Sequence, residues 1–296
     1  MQLSNFEQNL LKLHYIFPVP LSRFRKYFEK DPILQQINWA TASELAYLLN
    51  LSLEKAMLLK THLMNCEITN LLDTYKKQKI IALPYTHSLY PKKLLQLIDP
   101  PAVLYIQGNV NYLHQPWKVA IIGARKATHY SKESMALLVP PLVKNDIVIV
   151  SGMAKGADTL AHEAAIYYGG KTIAVLGHGL SHLYPKENAQ LKHQLAENQL
   201  LITEYPPYMK PEKWTFPMRN RIISGLSDAI IVTESERKSG TMSTVEHALE
   251  HSKEVFAVPG PITSKLSEGT NFLIGEGATP ISQGFQVVEV FNKECF

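Results

Sequence analysis

Residues 147–168, IVIVSGMAKGADTLAHEAAIYY, place an apolar strand, a glycine-containing turn and an amphipathic helix in direct succession. The run Ile147–Val150 is entirely apolar, which is typical of a strand covered on both faces of a parallel sheet. In Ala157–Tyr168 apolar side chains recur at helical spacing and form one stripe. This strand–turn–helix unit predicts an α/β protein.

The same alternation extends through the second part of the chain. Short β-branched runs separated by helical stretches indicate parallel strands joined by helices, that is, a doubly wound sheet. We therefore predict one α/β domain over residues 113–296. The runs that predict its strands are Val119–Ile122, Ile147–Val150, Thr172–Leu176, Leu200–Thr203, Ala229–Val232 and Val255–Val258.

The first part of the chain has a different pattern. Apolar residues recur at helical spacing through residues 1–70, and Thr41 with Glu44 has the spacing of a capping box. Residues 71–112 read as a connector with strand-like runs at Ile80–Leu83 and Val103–Ile106. We predict a small helical domain over 1–70 and a connector leading into the sheet.

Composition narrows the class of protein. The 296 residues are 46% hydrophobic and 19% charged, as in an ordinary globular protein of about two domains. The chain has only two cysteines, Cys66 and Cys295, and its N-terminus does not resemble a signal peptide. Both observations favour a cytoplasmic protein. No apolar run is long enough to predict a membrane span, and we expect no metal or cofactor.

Glycines follow four of the predicted strands. Ligands of open parallel sheets bind beyond the carboxyl ends of the strands, and glycine lets backbone N–H groups approach an anion there. Each single glycine could equally mark a tight turn, but together they predict a crevice that binds phosphate. The residues expected in this crevice are Gly123, Arg125, Ser151, Gly152, Lys155 and Gly156.

The segment FPMRNRIISGL, residues 216–226, adds two arginines either side of Asn220. A guanidinium suits phosphate, although Arg219 and Arg221 could also be ordinary surface residues at the start of a helix. Residues 113–296 carry 18 basic and 18 acidic side chains, so any attraction for nucleic acid must be local. Between Tyr205 and Arg221 basic residues alternate with aromatics such as Phe216, a mixture suited to single-stranded nucleic acid or to packing on the core.

Enzyme chemistry finds weaker support. No GxGxxG motif follows the first strand of the doubly wound region, and neither a Walker A motif nor an HExxH motif is complete. One loop, residues 239–246, looks like a degenerate form of the GGxGTxxE loop of nucleotide phosphoribohydrolases. Glu246 would be the catalytic residue of such an enzyme, or it could simply stabilise the first turn of a helix. We predict no enzyme and keep a nucleotide-processing activity of Glu246 as the alternative.

Several motifs in one order closely resemble the DprA/Smf family (DNA processing protein A) over roughly residues 80–285. They are IIGARKATHYS, SGMAKGADTLAHEAAI, LGHGLSHLYPKEN, ITEYPP, FPMRNRIISGLSDAIIV, SGTMSTVEHAL, EVFAVPG and GTNFLIGEGA.

This resemblance implies an extended Rossmann-like, mostly parallel sheet that binds single-stranded DNA, preceded by a sterile-alpha-motif-like (SAM-like) helical domain. It also implies a homodimer that loads the RecA recombinase onto incoming strands during natural transformation. By motif, Arg125, Arg219 and Arg221 would lie in the DNA pocket with Lys155 nearby, and glycines and Ser151 would donate to phosphate. Because the sequence ends at residue 296, we expect no C-terminal winged-helix domain.

Overall fold

The computed structural model of the protein describes residues 3–293, so Cys295 lies outside the described residues. Within that range the chain forms one nine-stranded sheet with helices on both faces and a helical segment at the N-terminus. The strands are β1 Ile81–Pro84, β2 Val103–Gly108, β3 Lys118–Ile122, β4 Val148–Ser151, β5 Thr172–Val175, β6 Leu200–Thr203, β7 Ala229–Val232, β8 Glu254–Ala257 and β9 Thr279–Pro280. The helices are α1 Asn5–Ile16, α2 Arg25–Lys30, α3 Ala42–Leu49, α4 Leu53–Asn65, α5 Ile68–Lys77, α6 His129–Lys144, α7 Ala157–Tyr167, α8 Ala189–Asn198, α9 Thr215–Leu226, α10 Gly240–Glu250, α11 Glu268–Gly275 and α12 Phe285–Lys293.

The α/β prediction is confirmed, since all six apolar runs form strands of one sheet. Their order is β6-β5-β4-β3-β7-β8, and every neighbouring pair among these six is parallel. The chain runs outward from β3 through β4, β5 and β6, then returns to place β7 against the other side of β3. The strand order therefore reverses between β3 and β7, which is where open α/β sheets bind ligands.

The predicted connector contributes two strands to the same sheet. β2 pairs antiparallel with β6, with Tyr105 opposite Thr203, and β1 pairs antiparallel with β2. Helix α5 crosses residue 70, where the helical domain was expected to end. The division at residues 70 and 112 stays a prediction, but the sheet includes strands from both sides of residue 112.

The N-terminal helices pack directly on this antiparallel edge. Leu10, Leu11 and Leu13 of α1 are fully buried and share a core with Tyr105 of β2 and Leu201 of β6. The capping box predicted at the start of α3 is present, because Glu44 N donates to Thr41 Oγ1 at 3.2 Å and Thr41 N donates back to Glu44 Oε2 at 2.9 Å. A SAM-like fold for these helices stays a prediction.

A second contact joins the helices to the loop after β6. Tyr208 Oη donates to the carbonyl of Tyr15 at 2.6 Å, and the two rings meet edge to face with centroids 5.0 Å apart. The same loop leads to the start of α9. The N-terminal helices therefore contact the loop that joins β6 to α9.

Candidate nucleic-acid interface

A cleft opens at the carboxyl ends of β3, β4 and β7, at the reversal of strand order. Its volume is about 710 Å³, and a smaller recess of about 90 Å³ adjoins it beyond the end of β5. Residues that border both spaces include Arg125, Tyr184, Phe216 and Arg219. The glycine-rich strand ends and the FPMRNRIISGL segment, far apart in sequence, therefore meet at one site.

Arg219 lies at the base of this cleft. It is 5% exposed, and its Nη1 donates to the carbonyls of Gly152, at 2.5 Å, and of Val175. The guanidinium thereby joins the ends of β4 and β5. A Cβ atom at position 152 would lie 2.2 Å from this Nη1, so the observed placement of the guanidinium depends on a glycine there. Burial lowers the pKa of Arg219, although arginine stays charged in proteins.

A buried carboxylate balances this charge. Asp158, in the first turn of α7, accepts from Ala154 N at 3.2 Å, which fixes the turn after β4. Burial raises the pKa of Asp158, and the nearby charge of Arg219 opposes that shift. Met153, in the same turn, has a left-handed φ of +57° while its side chain is buried, a conformation that costs free energy and is found at constrained sites.

The exposed cations line the mouth of the cleft. Arg125 borders both spaces, and its guanidinium lies 6.0 Å from the ring centroid of Phe216. Lys126 and Lys213 line the larger space. Lys155 borders the recess, but its ammonium pairs with Glu187 at 2.5 Å. Lys126 was missed by sequence reasoning, although its position beside Arg125 after a strand was a usable signal.

Two aromatic side chains stand among these cations. Phe216 on α9 and Tyr184, in the segment between β5 and α8, have ring centroids 5.3 Å apart at an interplanar angle of 47°. Phe216 packs closely over Gly177, where a Cβ atom would lie 2.9 Å from the ring. The aromatic residues leave part of their surface open, since Tyr184 is 44% exposed.

Asn220 forms hydrogen bonds at the side of the cleft where α9 meets the start of α10. Its Oδ1 accepts from Arg219 Nε at 3.3 Å, and its Nδ2 lies 3.5 Å from the carbonyl of Gly240 at the start of α10. Asn220 therefore joins α9 to α10 while lining the larger space.

Arg221 does not reach the cleft, contrary to expectation. It is 4% exposed and pairs with the buried carboxylate of Glu204, Nη2 to Oε2, at 2.5 Å. Successive residues of an α-helix are rotated by about 100° about its axis. Arg219 and Arg221 are two residues apart on α9 and therefore lie on different faces of the helix. Burial raises the pKa of Glu204 and the charge of Arg221 opposes the shift. Arg221 is a buried ion-pair residue in this structure.

Ser151 is also withdrawn from the cleft. It is completely buried as the last residue of β4, and its hydroxyl donates to the carbonyl of Ile121 at 2.7 Å. That bond ties β4 to β3 and leaves the hydroxyl committed. The hydroxyl of Ser151 is therefore not available to phosphate in this geometry, and a backbone contribution of Ser151 stays a prediction.

The two remaining glycines permit close backbone approach. Gly123 lines the larger space, and a Cβ atom there would lie 2.6 Å from Thr233 Oγ1. Gly156 has a φ of +77° and packs against the carbonyls of Ala124 and Arg125. Gly156 thus shapes the first turn of α7, although it does not itself line either space.

Glu246 lies away from the cleft. It is exposed on α10 and does not line the larger space, although Thr241 and Thr244 of that helix do. Thr241 Oγ1 instead donates to the carbonyl of Gly123 at 3.0 Å, which fixes α10 against the end of β3. The geometry gives no support to a hydrolase centred on Glu246.

The histidines near the site are used in backbone contacts. His178 Nδ1 lies 3.0 Å from the carbonyl of Gly179, and His182 Nε2 lies 2.7 Å from that of Tyr208. Burial lowers the pKa of His178. Over the described residues, no group of three or more His, Cys, Asp or Glu could hold a metal ion. Nor is any helix in residues 3–293 long and apolar enough to cross a membrane.

Comparison with known proteins identifies the family. The model of the family described as DNA recombination-mediator protein A matches residues 82–292. The chain belongs to this family. It is 41% identical to the DNA processing protein DprA of Bacillus subtilis, over 75% of each chain. It is 42% identical to that of Streptococcus pneumoniae, over 73% of this chain and 76% of the relative.

Two solved structures of family members extend the comparison. DNA processing protein A of Streptococcus pneumoniae matches with a TM-score of 0.81 and 34% identity, over 98% of both chains. The protein of Helicobacter pylori, described for its single-stranded DNA binding mode, matches with a TM-score of 0.66 and 35% identity, over 73% of this chain and 97% of that one. The predicted family and fold class are therefore confirmed.

Proposed function

We propose that this recombination-mediator family member binds single-stranded DNA in the cleft at the reversal of strand order. The observation that carries the proposal is the convergence of Arg125, Lys126, Lys213 and Arg219 with two aromatic rings on one concave surface. Phosphates need cations and backbone donors, and unpaired bases need apolar faces to stack on. This cleft offers both within a chain segment of no net charge.

The aromatic residues favour a single strand over a duplex. In a duplex the base faces are stacked on one another, so Phe216 and Tyr184 could contact only edges or sugars. A single strand can turn its bases onto these rings while its phosphates face Arg125 and the lysines. The single-stranded DNA binding described for the Helicobacter pylori relative supports this choice.

The cations have different roles in this proposal. Arg125, Lys126 and Lys213 are exposed and can follow a flexible strand. Arg219 joins the carboxyl ends of β4 and β5 through its two carbonyl contacts and brings a fixed positive charge to the wall of the cleft. Lys155 must first leave Glu187 to bind phosphate, so we assign it a smaller contribution.

Replacing Arg125 with alanine should weaken binding of a single-stranded oligonucleotide about tenfold or more, because a charge-assisted contact is worth about 1.5–3 kcal/mol. The slope of log affinity against log salt should fall by about 0.7, the loss of one phosphate contact on a single strand. Fluorescence anisotropy across a salt series measures both quantities. Arg25→Ala, which removes an exposed arginine from α2, is the matched control and should keep the wild-type affinity and slope. Equal behaviour of the two variants would refute the assignment of Arg125.

Membership of a recombination-mediator family also motivates a proposal for the cellular role. We propose that the protein is a cytoplasmic binding protein rather than an enzyme, and that it acts as a homodimer to load the RecA recombinase onto incoming single strands during natural transformation. The family description as a recombination mediator supports this role.

The dimer and the loading activity can be measured separately. Light scattering at micromolar concentration should give twice the mass of 33.4 kDa. A strand-exchange assay should show faster RecA nucleation on DNA that is already bound by this protein. A monomer in solution would contradict the dimer, and unchanged nucleation would contradict loading, without affecting the proposed DNA binding.

A further inference from the structure

The segment that joins β6 to α9 forms a ridge beside the cleft, the 208–214 ridge, with the sequence YMKPEKW. Lys213 lines the larger space of the cleft, and so do Phe216 and Pro217 just beyond the ridge. Trp214 borders neither space and is 54% exposed. It therefore lies at the rim, beside residues that form the wall of the cleft.

Backbone hydrogen bonds fix the path of this ridge at both ends. The carbonyl of Met209 accepts from Gly179 N at 2.8 Å. At the other end Thr215 N donates to the carbonyl of Glu212 at 3.1 Å, and Glu212 N donates to Thr215 Oγ1 at 3.4 Å. Side chains on a segment that is already ordered lose less conformational freedom when a ligand binds. The ridge is therefore preorganised to present its exposed side chains.

The indole of Trp214 is held by one buried side chain. Its ring meets that of Tyr205 at an interplanar angle of 88°, with the centroids 5.9 Å apart. Tyr205 is itself buried, and its hydroxyl donates to the carbonyl of Thr215 at 3.4 Å. A large apolar ring is thus fixed in place while about half of the residue stays in solvent. A fixed and exposed aromatic ring is a surface on which an unpaired base can stack.

The lysines of the ridge have no competing carboxylate. Lys210 and Lys213 are exposed, and over residues 3–293 neither ammonium forms an ion pair within 4.0 Å. Lys155 at the recess differs, because its ammonium is paired with Glu187. The two lysines of the ridge can therefore contact phosphate without first breaking an ion pair.

We propose that the 208–214 ridge is a second subsite for single-stranded DNA, which binds the nucleotides just outside the cleft. Trp214 stacks on an unpaired base and Lys210 contacts a phosphate, so a strand that passes Phe216 continues over the ridge. Lys213 belongs to the ridge and to the wall of the cleft, which makes the two surfaces continuous. Every base has a π-face, so the subsite adds affinity without sequence preference. This inference rests on the proposed DNA binding.

The composition of the ridge favours DNA over a protein partner. Tryptophan is enriched in interfaces between proteins, so Trp214 alone would suit either occupant. Lysine is depleted in such interfaces, yet Lys210 and Lys213 are the exposed neighbours of this ring in the sequence. Aromatic rings combined with cations are typical of sites that bind single-stranded nucleic acid.

Variants of Trp214 separate stacking from other apolar contacts. Trp214→Phe keeps an aromatic face, Trp214→Leu keeps an apolar side chain without one, and Trp214→Ala removes both. Trp39, in the N-terminal helical segment, is 76% exposed, so Trp39→Leu is the matched control. Thermal melts confirm that each variant is folded.

The experiment measures affinity for labelled (dT) oligonucleotides of about 4 to 16 nucleotides, the range of lengths that single-strand-binding folds occupy. With the longer oligonucleotides we expect Trp214→Leu and Trp214→Ala to weaken binding about fivefold to a hundredfold, as the loss of one stacked base does. Trp214→Phe and Trp39→Leu should stay close to wild type. The shortest oligonucleotide that wild type binds should bind all variants alike, because the cleft alone holds it.

Two further measurements test the ring and the lysine separately. In Trp39→Leu the remaining indoles are Trp117, which stacks on Phe291 with centroids 4.6 Å apart, and Trp214. Long oligonucleotides should quench the emission of this variant more than the shortest one does. Lys210→Ala should lower the slope of log affinity against log salt by about 0.7 for long oligonucleotides only.

The outcomes distinguish the subsite from the cleft. If Trp214→Leu keeps the wild-type affinity at every length, the ridge is not a DNA subsite, a protein partner becomes the better interpretation of the exposed ring, and the proposed function stands. Equal quenching by short and long oligonucleotides would also contradict the subsite. If no oligonucleotide binds the wild-type protein, the proposed function fails together with the subsite.

Discussion

Replacing Arg221 with alanine should lower the free energy of unfolding by about 3–5 kcal/mol, because it leaves Glu204 charged and buried without a partner. Glu204 is 4% exposed, and burial already raises its pKa. Urea unfolding at neutral pH, followed by circular dichroism, measures the loss. The effect should be larger than that of removing any exposed cation of the cleft, since exposed ion pairs contribute about 1 kcal/mol or less.

A double variant distinguishes the ion pair from a DNA contact. Glu204 Oε1 and two nitrogens of Arg221 have no hydrogen-bond partner in the described part of the chain, so the pair is incompletely satisfied. Replacing both residues with apolar ones, as in Arg221→Met with Glu204→Leu, should restore most of the stability. The double variant should also keep wild-type affinity for single-stranded DNA. A double variant that is stable but no longer binds single-stranded DNA would show that Arg221 contributes to DNA binding.

The two arginines show what the sequence could not reveal about the site. The sequence shows the spacing of the two arginines and their position before an apolar stretch. Which of them faces the carboxyl ends of the β-strands depends on where α9 begins. That helix starts at Thr215, earlier than the arginines, so both lie within it and diverge. Ser151 was misplaced for a similar reason: β4 extends one residue further than its apolar run and takes the hydroxyl into the sheet.

The fold was more predictable because its signals are local and repeated. Each parallel strand is an apolar run long enough to be recognised alone, and four of them, β3, β4, β5 and β8, are followed closely by a glycine in the sequence. The antiparallel edge was not predictable in the same way. No sequence signal near β2, Val103–Gly108, specifies β6 as its partner. The two strands are separated by about 100 residues, and their pairing depends on the packing of α1 and α8 against them.

Arg219 should be the least replaceable cation of the cleft. Arg219→Ala removes Nη1 from the carbonyls of Gly152 and Val175, so the turn after β4 loses its tie to β5. Hydrogen bonds to a charged group contribute about 1.5–3 kcal/mol each, so we expect losses of stability and of DNA affinity together. Arg219→Lys keeps the charge but lacks the planar fork that reaches two carbonyls, and we expect it to bind DNA almost as weakly as alanine.

The salt dependence separates this role from that of Arg125. Arg219→Lys should lower affinity at every salt concentration while keeping the wild-type slope, because the charge remains and the geometry is lost. Arg125→Ala should reduce the slope, because a phosphate contact is lost and the turn stays in place. Anisotropy titrations of both variants over the same salt series give the two slopes. If Arg219→Lys recovers wild-type affinity, Arg219 acts through charge alone, and its contacts with the strand ends are dispensable for binding.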